Sequence, residues 1–209
     1  MILLALSALV RLATVRAGLT EMNLLSRIAA GDIVSRAEAL DADTRMQLLV
    51  VASGLLYILI GFPFFFWFYR VYANLQSFGL RRLEYSPGWA IGGFFVPFLN
   101  FVRPYEIADE IWSWSFPASP DGRIPSKGTV PVKLWWGLYL AGNLSAYLPI
   151  LLNTGPRVIG KLILIQRVAL FGNVLWIAAA AATILLVKRI DDGQKSRFEW
   201  LSTASQAGI

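Results

Sequence analysis

The 209-residue sequence contains neither cysteine nor histidine. Without cysteine it cannot form disulfides, thiolate zinc sites or a cysteine nucleophile. Without histidine it lacks the commonest general base, the commonest transition-metal ligand and the side chain that normally titrates near neutral pH. Catalytic arrangements that pair serine or cysteine with histidine are therefore impossible within this chain. We expect a protein that is not an enzyme, with no catalytic residue, no metal site and no cofactor.

Charged residues are also scarce. They make up 15% of the chain, whereas a soluble domain of this size carries about a quarter. The deficit is concentrated in stretches long enough to cross a bilayer, so the composition predicts a single, all-α, polytopic membrane domain over residues 1–209. The net charge of +6 comes from basic residues that flank the apolar stretches. We therefore expect these charges to meet the lipid bilayer and not nucleic acid.

Three stretches without charged residues predict membrane spans. Residues 47–69 are 23 residues long, about 34 Å as a helix and enough to cross an apolar core of about 30 Å. Residues 134–152 and 168–187 also have the required length and cationic flanks, and their short connection predicts a helical hairpin. Asn143 and Asn173 lie near the middle of these two spans. We favour a hydrogen bond across the hairpin over a polar transport path for them.

The N-terminal region predicts a further helix over about residues 1–30. Met1–Val10 is apolar, but Arg11 and Arg16 follow. A charge at the bilayer centre costs about 2.5–3.5 kcal/mol on insertion scales, so we expect a first membrane helix that is truncated at its N-terminus, and not a span centred on Arg11. The sequence therefore predicts about four transmembrane helices.

The distribution of lysine and arginine gives a small preference for one orientation. With the N-terminus inside, the segments 70–133 and 188–209 are cytoplasmic and carry eleven basic residues, while the opposite side carries eight. Basic residues concentrate on the cytoplasmic side of membrane proteins. We therefore expect both termini in the cytoplasm, with residues 188–209 as a tail.

Residues 86–115, between the second and third spans, follow a different pattern. Their apolar part, Trp89–Val102, has 14 residues, a length typical of an interfacial or re-entrant piece. A glycine pair and Pro97 interrupt it. Backbone groups freed at such breaks must be covered by protein or water, so this broken segment should pack on the helices. A linker over residues 116–133 follows it.

An amphipathic helix is predicted from Pro104 onwards, with Glu106, Asp109 and Glu110 on one face. Carboxylates at this spacing converge and form a candidate divalent-cation site, but such sites usually take ligands from more than one element. We favour the alternative, in which the acidic face is solvated or paired with arginines of the same region: Arg70, Arg81, Arg82 and Arg103.

Several motifs in this region resemble those of a known family. They are Tyr69-Arg70 with Asn74-Leu75, the run YSPGWAIG from Tyr85 to Gly92, Phe95 to Pro97 with Asn100, Arg103 to Tyr105 with Glu110 to Trp112, and the pair Trp135-Trp136. On these residues the sequence resembles, over nearly the whole chain, the bacterial membrane family called domain of unknown function 4328. The resemblance implies a small multi-pass protein of the bacterial plasma membrane, without an established activity. The motifs give the candidate interaction and structural residues Arg70, Asn74, Pro87, Gly88, Trp89, Pro97, Asn100, Arg103, Pro104, Tyr105, Glu106, Glu110 and Trp112.

Three functional hypotheses follow from these features. The favoured one is a non-enzymatic scaffold or partner-binding membrane component that acts through its cytoplasmic-face segment. The alternative is a small transporter or channel in which residues 89–102 re-enter the membrane. A lipid-modifying enzyme that uses the three carboxylates of the amphipathic helix is disfavoured by the missing histidines. The sequence indicates neither the partner's identity nor an oligomeric state.

Overall fold

The protein is helical throughout its described part. The computed structural model describes residues 1–80, 82–117, 129–156 and 158–206, and all regular structure in these ranges is helical, which confirms the all-α class. The elements in chain order are α1 (Ile2–Ala29), α2 (Arg36–Ser77), α3 (Trp89–Gly92), a 3-10 turn (Leu99–Phe101), α4 (Arg103–Ser115), α5 (Val130–Leu152) and α6 (Ile159–Gln206).

Three of these helices are long and apolar enough to cross a membrane, namely α1, α2 and α6 as far as Thr203. The predicted spans 47–69 and 168–187 lie within α2 and α6. Helix α5 contains the predicted span 134–152 but is not among these three candidates. Three candidate spans are therefore established, and the fourth stays a prediction.

Helix α1 matches the helix expected over about residues 1–30, and it is a candidate span although it contains Arg11 and Arg16. Arg11 is not left without a partner. Its Nη1 donates a hydrogen bond of 3.1 Å to Asn173 Oδ1, and the guanidinium carbon lies 5.3 Å from the ring centroid of Trp176. Polar partners of this kind lower the cost of a charge inside an apolar helix.

Helix α6 continues well beyond its predicted span. Residues 188–206 were expected in a tail, but α6 ends only at Gln206. Ile190, Gly193 and Gln194 are buried in this stretch, as is Leu186 just before it, at a spacing that places them on one face of the helix. The predicted tail is therefore helical as far as residue 206, because this face packs on other protein elements.

The chain divides into two compact units whose boundaries fall within α2, α5 and α6. Unit 1 comprises Met1–Ile60 and Gly137–Ala181, and unit 2 comprises the described residues of Gly61–Trp136 and Ala182–Ile209. All candidate interaction residues belong to unit 2. The single domain over residues 1–209 stays a prediction. Most of the predicted linker 116–133 lies outside the described residues, as does Arg81.

The core of unit 2 contains the apolar face of α4. Ile107 and Ile111 are fully buried, as are Phe68 of α2 and Ile190 of α6. Phe94, from the broken segment, lies edge-on to the ring of Phe68 at a centroid distance of 5.8 Å. Burial of this apolar surface stabilises the unit by roughly 25 cal/mol per Å², and the inserted Phe94 attaches the broken segment to α2.

The broken segment turns sharply between α3 and α4. Gly93, which follows α3, is buried, and a side-chain carbon added there would lie 2.9 Å from the carbonyl oxygen of Trp89 and 3.0 Å from Cβ of Arg103. At the neighbouring Gly92 the same addition would meet nothing within 4 Å. The close approach of the chain to itself therefore requires glycine at position 93 alone.

This difference gives a matched pair of substitutions. We expect Gly93→Ala to lower the free energy of unfolding in detergent by about 1–3 kcal/mol, the range typical of overpacking. Gly92→Ala should leave it within about 0.5 kcal/mol or raise it slightly, because alanine loses less backbone entropy on folding. Denaturant unfolding of the purified variants measures both values. Equal effects at the two positions would contradict the tight turn.

Candidate functional site

The C-terminal end of the broken segment is held by a triangle of polar side chains. Tyr85 Oη donates a 2.8 Å hydrogen bond to Glu106 Oε2. Arg103 Nη1 lies 2.5 Å from Tyr85 Oη and 3.2 Å from Glu106 Oε2. The Arg103 guanidinium also covers the Tyr85 ring, at 4.7 Å from its centroid, and lies 5.9 Å from that of Trp89. Arg103 thus joins the start of the broken segment to the start of α4.

Burial has a measurable consequence for the phenol in this triangle. The side chain of Tyr85 is half-buried, and this desolvation raises the pKa of Tyr85 above its ordinary value. The hydrogen bond to the Glu106 carboxylate raises this pKa further, because it stabilises the protonated phenol. Tyr85 therefore acts as a hydrogen-bond donor throughout the neutral pH range.

One turn further along α4, the Glu110 carboxylate is bonded inside the core. Glu110 is 6% exposed. Its Oε2 lies 2.6 Å from Tyr72 Oη, which donates to it, and its Oε1 accepts a 2.9 Å bond from the backbone N–H of Glu84. Tyr72 Oη also accepts a 3.0 Å bond from the N–H of Tyr85. These bonds connect α4, α2 and residues 84–85. We call the six residues of both groups the polar frame: Tyr72, Glu84, Tyr85, Arg103, Glu106 and Glu110.

A second set of bonds connects α2, α4 and α6. Asn74 Nδ2 donates a 2.9 Å bond to Oε1 of the buried Gln194. Gln194 Nε2 in turn donates to the carbonyl oxygen of Val71 at 2.8 Å and to Ser115 Oγ at 3.3 Å. Arg197, three residues after Gln194, donates a 2.7 Å bond to the carbonyl oxygen of Trp114. The last turns of α6 therefore satisfy polar groups of both α2 and α4.

Two of the three carboxylates on the acidic face of α4 are buried. Asp109 and Glu110 are each 6% exposed, and Asp109 Oδ1 accepts a 3.2 Å bond from the N–H of Thr129. Glu106 forms an ion pair with Arg103 at 3.2 Å. Within the described ranges, no group of three or more acidic side chains is arranged to hold a metal ion. Asp109 and Glu110 are therefore not solvated, because they lie inside unit 2, whereas Glu106 makes one of the expected arginine pairs.

The remaining predicted residues divide into supporting and peripheral ones. Carbonyl groups of Pro87 and Gly88 accept the first bonds of the turn that starts α3. Pro104 is buried as the second residue of α4, one position later than expected. Trp112 packs edge-on against Phe116 at 5.2 Å. Asn100 has a buried Oδ1 without a hydrogen-bond partner in the described part of the chain. Arg70 and Pro97 are exposed, and Tyr105 is partly exposed.

Comparison with known proteins places this arrangement in a family. The family described as "Domain of unknown function (DUF4328)" matches residues 31–192. The chain belongs to this family. No curated protein and no solved structure matches it. The matched DUF4328 region contains the whole polar frame and all 13 candidate residues, which agrees with the resemblance seen in the sequence, and it begins after α1.

Four residues that make these hydrogen bonds were not among the candidate residues. They are Tyr72, Tyr85, Gln194 and Arg197. Two lie within the DUF4328 region, and two lie in the part of α6 that follows it. Tyr85 is the first residue of the YSPGWAIG motif, so the sequence did contain an indication that it belongs to the site. Gln194 and Arg197 continue the one-face spacing of Leu186 and Ile190, a period that indicates a continued helix. Tyr72 gave no signal of its role, because nothing in its local sequence indicates a buried carboxylate partner.

The polar frame of the DUF4328 region holds an exposed aromatic surface in position. Phe95, Phe98 and Phe101, between α3 and α4, are 67%, 84% and 57% exposed. Phe98 has a positive φ of 66°, a backbone conformation that costs about 1–2 kcal/mol in a bulky residue. We call these three side chains the phenylalanine edge. A strained backbone conformation persists only where the surrounding structure fixes it. Here Arg103 and Phe94 hold the segment that carries the exposed rings.

The bond between Tyr72 and Glu110 can be tested with a conservative substitution. We expect Tyr72→Phe to lower the free energy of unfolding by about 1–3 kcal/mol, because it leaves a buried carboxylate oxygen without its donor. Tyr69→Phe, one turn earlier in α2 and 42% exposed, is the control and should change it by less than about 0.5 kcal/mol. Denaturant unfolding in detergent measures both. Equal losses would mean that the phenol does not stabilise Glu110.

Proposed function

We propose that this DUF4328 protein is a non-enzymatic component of the bacterial plasma membrane that binds a protein partner through its phenylalanine edge, at the cytoplasmic face. The observation that carries the proposal is the combination of a bonded polar frame with outward-facing aromatic rings. Apolar patches exposed on a protein surface mark sites of protein or membrane contact. Aromatic residues are enriched at such sites because they bury a large area with few rotatable bonds.

The state of the carboxylates supports binding over catalysis. Glu106 is bonded to Tyr85 and Arg103, and Glu110 to Tyr72 and the Glu84 backbone. A general acid or base must reach a substrate proton, and these oxygens point at neighbours of the same unit. The polar frame therefore supports the segment between Trp89 and Arg103 and fixes it in one conformation.

The preorganised segment also supports binding on energetic grounds. Association costs about 0.5–1.5 kcal/mol for each side chain or loop residue that must be ordered. Here Phe94 is already inserted among Phe68 and Trp136, and Trp136 Nε1 donates a 2.8 Å bond to the carbonyl oxygen of Phe101. A partner that binds the phenylalanine edge would therefore lose little binding free energy to the ordering of this segment.

Transport is the second candidate, and Asn100 is the observation that favours it. Its buried Oδ1, which has no hydrogen-bond partner among the described residues, lies in the broken segment, where a discontinuous backbone in a membrane can form a substrate site. Reconstitution of the full chain into proteoliposomes tests this candidate. Flux of ions or small solutes above empty vesicles, reduced by Asn100→Ala, would favour transport over partner binding.

Partner binding is tested by photo-crosslinking in the native membrane. We expect p-benzoylphenylalanine at Phe98 to give a discrete protein adduct, because this side chain is 84% exposed on the phenylalanine edge. The control carries the same group at Phe66, which is 75% exposed on α2 within the predicted span 47–69. Gel mobility and mass spectrometry of the adducts are the measurement. Only lipid adducts, or the same protein adducts at both positions, would contradict the proposal.

A variant of the edge separates binding from folding. Combined Phe95→Ala, Phe98→Ala and Phe101→Ala substitutions should abolish co-purification of the crosslinked partner and leave membrane insertion and unfolding nearly unchanged, because the rings are exposed. Phe66→Ala should retain the partner. Retention of the partner by the triple variant would place the contact elsewhere on the chain.

A further inference from the structure

Unit 1 contains a cationic side chain with an incomplete set of partners. Arg11 lies in the apolar helix α1 and is only partly exposed. A guanidinium carries five N–H donors, and the one hydrogen bond that Arg11 makes to a described residue runs from Nη1 to Asn173 Oδ1, at 3.1 Å. Its other contact is the face of Trp176. Both partners are neutral, so within the described residues no carboxylate balances this charge.

The amide of Asn173 is fixed in the orientation that serves Arg11. Its Nδ2 donates a 2.9 Å bond to the carbonyl oxygen of Ala169, one turn earlier in α6. The amide oxygen is thereby left for the guanidinium. Asn173 is therefore a positioning residue that holds Arg11 against α6, and it leaves the charge of Arg11 available for an anionic ligand.

A cavity of about 180 Å³ adjoins this pair. One water needs roughly 10–15 Å³ measured in this way, so the cavity admits a group of several heavy atoms. Asn173 both lines it and bonds to Arg11. Two further lining residues, Thr14 and Gln166, are polar, and the others are apolar: Met46, Val50, Ala169 and Leu170. The cavity thus has an apolar wall and polar groups, one of which accepts the hydrogen bond from Arg11.

We propose that Arg11, positioned by Asn173, and the adjoining cavity bind the phosphate group of an anionic amphiphile. A guanidinium matches phosphate because its N–H groups form parallel, charge-assisted bonds. The helices that carry the site, α1, α2 and α6, are the ones apolar enough to lie in a membrane, where phospholipid is the abundant source of phosphate. The phosphate also balances a guanidinium charge that has no carboxylate partner among the described residues.

The test uses the full chain purified in a neutral detergent. Phosphatidylglycerol, phosphatidylcholine and inorganic phosphate are titrated separately, and the unfolding temperature and the lipid retained in native mass spectrometry are recorded. We expect saturable stabilisation and retention with phosphatidylglycerol. Arg11→Gln should weaken apparent affinity tenfold or more, because it removes the charge from the bond. Arg16→Gln is the matched control, since Arg16 is exposed on the same helix, and should change the affinity less than twofold.

The arms of the experiment identify the source of the phosphate. A response to phosphatidylglycerol that free phosphate does not compete supports a lipid headgroup, and one that free phosphate reproduces supports the same site with a soluble anion. If Arg11→Gln fails to fold, Gln166→Leu, which narrows the cavity and keeps the cation, should weaken binding in its place. The proposal is overturned if no ligand gives a saturable response, or if the exposed-arginine control loses as much affinity as the Arg11 variant.

Discussion

The carboxylate of Glu110 lies inside unit 2 with 6% of its surface exposed, and the rest of this unit is organised around that constraint. A buried carboxylate without hydrogen-bond donors costs several kcal/mol, so α4 can pack in the core only where other residues provide such donors. The Tyr72 phenol and the Glu84 N–H supply them. Because these donors come from α2 and from the chain that follows it, a single charge fixes the position of α4 against both.

The position of α4 in turn determines what the broken segment does. Arg103, the first residue of α4, lies over the rings of Tyr85 and Trp89, so the two ends of the segment are held close together. The chain between them must then turn back within a few residues, which explains the glycine at position 93 and the positive φ of Phe98. The exposed phenylalanines are a consequence of this closure, and their surface is available only while the polar frame is intact.

The sequence predicts the features of this protein that depend on local pattern. Runs without charge predict the helices, and the spacing of Ile107 and Ile111 predicts the apolar face of α4. The burial of Glu110 could not be predicted this way, because an acidic stripe beside an apolar one ordinarily faces solvent. Its donors lie 26 and 38 residues away in the chain, and Gln194 lies 120 residues from Asn74. Such pairs are determined by tertiary packing, and the periodicity of hydrophobic residues along the sequence does not indicate them.

Glu110 and Arg11 also show how a charge in apolar surroundings can be interpreted. Both are ionisable, and both lie in helices with apolar neighbours. Glu110 accepts a hydrogen bond on each oxygen from its own unit, so its acceptors are satisfied within the protein and its role is structural. Arg11 has one neutral acceptor and one aromatic face among the described residues, and that acceptor, Asn173, also lines a largely apolar cavity. Protein groups satisfy both oxygens of Glu110, whereas most N–H donors of Arg11 have no acceptor among the described residues, and in our proposal an anion supplies it. This difference separates a structural charge from a binding one.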